Sequence, residues 1–438
     1  MGHSSEERES LEGPGVVLRR LLGLWRPRGR LARGLDMLLA GVTLVAISFL
    51  VVCVALKLYA DPPEELEQIA LCGLVASLCI GFFFKALLFM VLGGTLRQTV
   101  RLLEDTRLEF FSGDKNETTR RRYQQLSRNI YNYGQMVAVP AAIGWITCPL
   151  LSRLLTHTGD DQHEVKRQFP VPVWFPVDVY TSPTFELLYA VQSFCVLVVA
   201  ECCIATDIFF VHTMLMVAAE LEVLNSNLCA MGDAKLQMKR VKEEEAVSRY
   251  KTKGRRWAFL NSDQPVGEHG LPENAVHEWL HEQLVKNVRH HQAILRSVSL
   301  LQSTMDVSIF ILLFVNMANL CASLFVAGVL VHKEGNVGRA LNALVSIPAL
   351  LYETTMYCIF GHVMTDHSER LMYSAFSSGW INSDARFKRS MLIFMMVTMQ
   401  PMNITVGKTY TLSKQMLLQV LNGTYGLLNM LYHMHGSE

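Results

Sequence analysis

The sequence predicts an all-α membrane protein, and three observations predict it. Half of the 438 residues are hydrophobic and 18% are charged, against roughly a quarter charged in an ordinary soluble domain, so polar surface is too scarce for a water-soluble globule. The apolar residues gather in runs of about 20, the length that crosses the hydrocarbon core of a bilayer. Lys and Arg crowd alternate connecting segments, the asymmetry that orients helices in a membrane. The 40 basic and 39 acidic residues nearly cancel to +1, so bulk charge gives no reason to expect a nucleic-acid partner.

Residues 1–33 are charged and polar, without a short apolar core followed by a small-residue cleavage site, so no signal peptide is expected. Arg19, Arg20, Arg26, Arg28, Arg30 and Arg33 keep this segment in the cytoplasm. Apolar runs near 37–59, 69–94, 130–152, 186–216, 307–332 and 340–365 supply six spans. The segment after the first, DPPEELEQ, is acidic and belongs outside. The segment after the second carries Arg97, Arg101, Arg107, Lys115, Arg120, Arg121, Arg122 and Arg128 and belongs inside. Lys235, Lys239, Arg240, Lys242, Arg249, Lys251, Lys253, Arg255 and Arg256 place the segment after the fourth span inside as well. Arg370, Arg386, Lys388 and Arg389 follow the sixth on the same side. The last apolar region is split into MLIFMMVTMQPMNITVG (391–407), interrupted by Pro401, and QMLLQVLNGTYGLLNMLY (415–432); either or both fit a span. A single seventh span leaves the N-terminus cytoplasmic and the C-terminus extracellular, the reverse of a G-protein-coupled receptor.

Nine of the ten cysteines lie in apolar stretches and Cys229 just after one. They read as small hydrophobes rather than a disulfide framework. The sequons at Asn116, Asn403 and Asn422 fall in cytoplasm or bilayer on this topology and read as chance matches.

Two groups of residues raise the question of chemistry. HEWLH at 277–281 fits H-E-x-x-H, in which His277 and His281 share a helical face to bind Zn²⁺ and Glu278 activates the metal-bound water. A catalytic zinc needs a third protein ligand, for which His290 and His291 are the nearest candidates. The competing reading in a chain with 14 His is a solvated helix with chance spacing, and no metal or cofactor is expected. Lys85, Glu201, Asp207 and Glu353 sit inside spans, where an ionisable side chain is costly and marks either function or an internal pair. Pro140 is expected to kink the third span.

The region from Ser368 onward resembles the signature of the insect odorant receptors: Ser368, Ala375, Phe376, Trp380 and Arg386, a Met-rich helix closing on Gln400-Pro401, then Gly407-Lys408 and Leu412-Ser413. Upstream, FPVPVWFPVDVYTSPTFELLYAVQS resembles the outer loop of that family through Pro170, Trp174, Pro176, Asp178, Ser182, Pro183, Tyr189 and Gln192. The His291-Gln292 step before the fifth span fits too. Phe376 stands where Tyr is usual. The related gustatory receptors end in Gln-Phe where this chain has Leu431-Tyr432, and the coreceptor of the family has a much longer insertion after the fourth span. The resemblance therefore points to a ligand-tuned subunit.

It implies a heterotetrameric, odorant-gated, non-selective cation channel built with the coreceptor around a central pore, in the plasma membrane of olfactory sensory neurons. The alternatives are a gustatory-type homomeric channel, an inverted seven-span receptor acting through a cytoplasmic effector, and a membrane zinc metalloprotease using HEWLH. The resemblance also assigns the split segment: the first piece becomes a cytoplasmic anchor helix and the second the seventh span. The expected divisions are a cytoplasmic N-terminus (1–33), spans 1–4 (34–220), a cytoplasmic loop and helix (221–301), spans 5–6 (302–365), an anchor region (366–411), a pore-lining helix (412–432) and an extracellular tail (433–438). A small volatile ligand is expected in the outer half of the bundle, against Cys79, Phe83, Ala141, Trp145, Tyr189, Val196, Tyr352 and Met356. Aligning Thr424-Tyr425 on the family's Thr-Tyr step implies a constriction at Leu428 and Tyr432, with Leu431 beside them. Lipid is the remaining partner expected.

Overall fold

The computed structural model describes residues 12–25, 32–63, 66–110, 113–156, 167–175, 179–256, 273–332 and 337–436. Arg26, Arg28 and Arg30, the 257–272 segment and the last two residues of the tail lie outside these. The elements in chain order are α1 (Val16–Leu21), α2 (Ala32–Ala60), α3 (Leu66–Val91), α4 (Gly93–Glu109), α5 (Gly113–Thr156), α6 (Thr184–Arg256), α7 (Glu273–His332) and α8 (Val337–Phe376), then α9 (Ala385–Thr398), a two-stranded hairpin and α10 (Lys414–Gly436). Six of them, α2, α3, α5, α6, α7 and α8, are long and apolar enough to cross a membrane. The seventh span, α10, has 23 residues, about 35 Å at ~1.5 Å per residue.

Several helices outrun the bilayer. With 73 residues, α6 is ~110 Å long, and α7 with 60 residues is ~90 Å, against a hydrocarbon core of ~30 Å. Helix ends and the expected divisions do not coincide. The basic stretch 231–256, expected as a loop, continues α6, and the expected boundary at 366 falls inside α8, which runs unbroken to Phe376. No proline or glycine-rich break interrupts either stretch, so helical hydrogen bonding carries on after the apolar run ends. Pro140 and Pro149 both lie within α5 and Pro348 within α8.

The cytoplasmic halves are held together by buried polar groups. The Arg120 guanidinium of α5 grips the Glu220 carboxylate of α6 with two bonds, Nε to Oε1 at 2.8 Å and Nη2 to Oε2 at 2.7 Å. His290 Nε2 of α7 lies 3.0 Å from Glu220 Oε2, and its ring stacks on Phe110 at 4.6 Å. One layer away, the Tyr123 hydroxyl meets Glu222 and His367 of α8, each at 2.7 Å. Near the N-terminus, Arg19 is fully buried between Trp25 and Phe209, and burial lowers its pKa to about 10. The guanidinium remains charged at neutral pH, bonded to Pro14 O at 3.0 Å.

The C-terminal third is folded by its own signature residues. Asp384 caps α9 through Phe387 N at 3.1 Å, and Ser413 caps α10 through Met416 N at 3.2 Å, as short oxygen-bearing side chains do at helix starts. Between them Thr405–Val406 pairs antiparallel with Tyr410–Thr411. The turn uses left-handed Gly407 and Lys408. Asp306 and Gln302 of α7 bind this hairpin: the Lys408 amide donates to Asp306 Oδ1 at 3.0 Å, and the Thr405 amide to Gln302 Oε1 at 2.8 Å. Ser368 accepts from Met402 N at 2.8 Å. Replacing Arg120 by Met should lower the stability of the detergent-purified chain by about 3–5 kcal/mol, because Glu220 is left buried without its bidentate partner. Adding Glu220→Met should recover much of that loss. A thermal midpoint unchanged by Arg120→Met alone would contradict this account of the cytoplasmic half.

Candidate functional site

A cavity of about 200 Å³ lies between α3, α5, α6 and α8, with Leu50 of α2 at its edge. Leu78, Cys79 and Phe82 come from α3, and Ala141 and Trp145 from α5. Val196 to Val211 of α6 and Val345 to Met356 of α8 supply the facing walls. Its outer cover is the 167–175 segment, tied down by side chains that the odorant-receptor resemblance singled out. The Trp145 indole donates to Pro170 O at 2.9 Å, and the Val171 amide donates to Gln192 Oε1 at 3.2 Å. Phe169, Phe185 and Tyr189 cluster above, with ring centroids 4.8 to 6.5 Å apart. Pro176 and Asp178 of the same motif lie outside the described residues.

Of the eight residues expected at the ligand, Cys79, Ala141, Trp145, Val196, Tyr352 and Met356 are brought to this one cavity, and two are not. Phe83 lies off the lining because α3 presents positions 78, 79 and 82, an i, i+3 face, so the residue after Phe82 turns away. Tyr189 acts from outside, its hydroxyl donating to Ile146 O. The Tyr352 hydroxyl is likewise engaged, donating to Ile130 O at 2.6 Å.

The wall is apolar except at its floor. There Asp207 and Glu353 line the cavity together with Cys203. Behind them Lys85 pairs with both carboxylates, reaching Glu353 Oε1 at 2.7 Å, and its Nζ lies 3.4 Å from Cys203 Sγ. The Tyr357 hydroxyl donates to Asp207 Oδ1 at 2.5 Å, and Asn316 Nδ2 donates to Glu353 Oε2 at 3.0 Å. The cost of ionisable groups in the spans had marked Lys85, Asp207 and Glu353, but spacing alone could not bring three helices to one cavity. Glu201 stands apart, accepting from Gln135 Nε2 at 2.9 Å. Among the described residues Cys203, Asp207 and Glu353 are the one group of three metal-ligating side chains with converging atoms, and the Lys85 ammonium occupies the position a cation would take.

HEWLH contributes no such cluster. His277 and His281 are half-buried on α7, each with an Nδ1 that has no hydrogen-bond partner, and no third ligand converges on them among the described residues. His290, a candidate third ligand, is spent on Glu220.

The residues expected at the constriction have neighbours within the chain. Leu428 and Leu431 pack against Phe325, Val326, Ala327 and Val329 of α7 in the same chain. Tyr432 sits edge-on to Phe325 at 5.6 Å, and a Cβ at Gly328 would collide with its hydroxyl. These three side chains therefore anchor α10 to its own bundle. The opposite face, exposed in the isolated chain, carries Gln415, Gln419, Asn422, Gly426 and Asn429, spaced by four, three, four and three, which is one side of a helix.

Residues 70–425 match the family model described as 7tm Odorant receptor. Among curated proteins, the chain is 24% identical to Odorant receptor 10 of Aedes albopictus over 270 residues, 60% of each chain. It is 31% identical to Odorant receptor 33a of Drosophila melanogaster over 124 residues, 28% of this chain and 32% of that one. These alignments thus span about 60% or less of the relatives' own length. Two solved structures share the fold: the olfactory receptor OR5 of Machilis hrabei in complex with eugenol, with a TM-score of 0.75, 14% identity and 99% of both chains covered, and the same receptor without a named ligand, with a TM-score of 0.71 at 13% identity and 98% coverage of both. With a family match over most of its length and a seven-span helical fold around one apolar cavity, the chain is a multi-pass membrane protein that belongs to the insect 7tm odorant receptor family.

Proposed function

We infer that the chain is the odorant-binding subunit of a ligand-gated, non-selective cation channel, assembled with the coreceptor of the family in the plasma membrane of olfactory sensory neurons. As a receptor-family member it is not an enzyme, and HEWLH is part of an ordinary helix. The observation that carries the reading is the covered apolar cavity in the outer half of the bundle, the environment a small volatile molecule needs. Cys79, Ala141, Trp145, Val196, Tyr352 and Met356 are its proposed contacts. The solved structure of OR5 in complex with eugenol supports the same use of the fold.

Two surfaces support assembly. On α9, Phe387, Met391 and Phe394 are buried, whereas Leu392, Ile393, Met396, Val397 and Met399 are exposed, an apolar patch on a cytoplasmic helix of the sort that marks a protein interface. On α10, the amide-rich face opposite Leu428 is suited to a water-filled axis, since amides facing lipid would lack partners.

Odorants applied to cells expressing the chain with the coreceptor should evoke cation currents without nucleotide or G protein. Trp145→Ala should reorder ligand potencies by tenfold or more while surface expression persists. Complete silence at normal surface levels would refute the channel reading. In open channels, cysteines at 422, 426 and 429 should react with water-soluble thiol reagents and a cysteine at 428 should not; the opposite pattern would reverse the proposed orientation of α10. Met396→Asp together with Ile393→Asp should leave the subunit folded but monomeric on native gels, whereas Met395→Asp should cost stability because Met395 packs inward on the core.

A further inference from the structure

We propose that the cavity is built for a small organic amine, held as its ammonium by Asp207 and Glu353 at the cavity floor. The proposal rests on the odorant-binding reading of this cavity and names the ligand class. Two carboxylates and one ammonium leave the cluster one negative charge in excess. Among the described residues Lys85 is the one cation paired with them. An unbalanced charge away from water is expensive, so the cluster requires either a proton or a second cation.

The geometry says where that cation would enter. Asp207 and Glu353 line the cavity, whereas Lys85 does not. The charged residues of the lining are therefore both acidic. Apart from this floor, the polar atoms nearby are already engaged: Trp145 by Pro170 O, Tyr352 by Ile130 O and Ser346 by Ser323 at 3.1 Å. The floor carboxylates have donors too, Tyr357 and Cys203 on Asp207 and Lys85, Cys203 and Asn316 on Glu353, so what sets the floor apart is its excess negative charge, and a cationic end of a ligand belongs there.

The walls fit the rest of such a molecule. Phe82, Trp145 and Tyr352 supply aromatic rings, which attract a cation by their faces and an apolar body by contact. A dry cavity of about 150 Å³ accepts benzene, so about 200 Å³ accommodates a ring with a short amino tail.

The test compares 2-phenylethylamine with 2-phenylethanol, which share a skeleton and differ in the charged group, by calorimetric binding to the purified chain and by currents from the assembled channel. The amine should bind at least tenfold more tightly than the alcohol. In Asp207→Asn, and independently in Glu353→Gln should the first variant fail to fold, that ratio should fall to about one. Equal affinity in the native chain, tighter binding of the alcohol, binding of neither, or a ratio that survives both substitutions would overturn the assignment. Amine binding without any current would instead count against the channel reading and leave this one standing, while currents evoked equally by both compounds would do the reverse.

Discussion

An ammonium stranded in hydrocarbon dictates what surrounds it, and Lys85 dictates the centre of this bundle. It comes from α3, its partners Asp207 and Glu353 from α6 and α8, and their supporting donors Tyr357 and Asn316 from α8 and α7. Four helices are thereby held at one depth. Removing Lys85 would leave two buried carboxylates uncompensated, so the relative heights of α3, α6 and α8 have little freedom. The cavity exists because this floor spaces the helices while small residues (Ala138, Ala141, Ala142, Ala200 and Ala349) leave room above it. A polar floor beneath an apolar chamber follows from the same constraint.

The cytoplasmic half obeys different rules. There the helices run on past the bilayer, and what joins them is a buried ion pair and side-chain hydrogen bonds: Arg120 to Glu220, Tyr123 to Glu222, Asn116 to Asn227 at 3.0 Å. Such groups specify register more strictly than aliphatic packing does, because a shift of one turn leaves donors without acceptors. The hairpin between α9 and α10 is clamped on α7 by Gln302 and Asp306 in the same manner. Movement of α7 would therefore reach both the hairpin and the start of α10.

The fold class and the spans were legible because they depend on composition and on run length, which are local properties. The signature from Ser368 to Ser413 was legible too, and its residues prove to be the ones with conformational duties: Ser368 accepts a loop amide, Gly407 takes a left-handed turn, Ser413 caps a helix. Helix ends were not legible where α6 continues through charged residues, since apolar periodicity stops there and helical hydrogen bonding does not. Six of the lining residues followed from the family resemblance and depth along the spans. Phe83 falls off this wall because depth says nothing about rotation, and one residue along a helix is a turn of 100°. The joining of Lys85 with two distant acids is a long-range fact for which spacing holds no signal.

The last helix shows how two sequence signals can conflict. A short motif, Thr424-Tyr425, aligned on the family, points Leu428 and Tyr432 toward an axis. Periodicity across the whole helix offers a second face. Leu417, Val420, Thr424, Leu428 and Leu431 repeat on one side and meet α7 and its neighbours, while Gln415, Gln419, Asn422, Gly426 and Asn429 repeat on the other. A dipeptide carries one phase reference that a shift of two residues rotates by about 200°; a stripe of five residues averages that error away. Physical cost favours the stripe as well. Leucines lose nothing against Phe325 and Val326, whereas four amide side chains turned to lipid would each forgo hydrogen bonds worth having only where water or a polar partner supplies them. A helix with one face of each kind belongs at a boundary between a packed bundle and a wet interior, which is the position the proposed channel gives it.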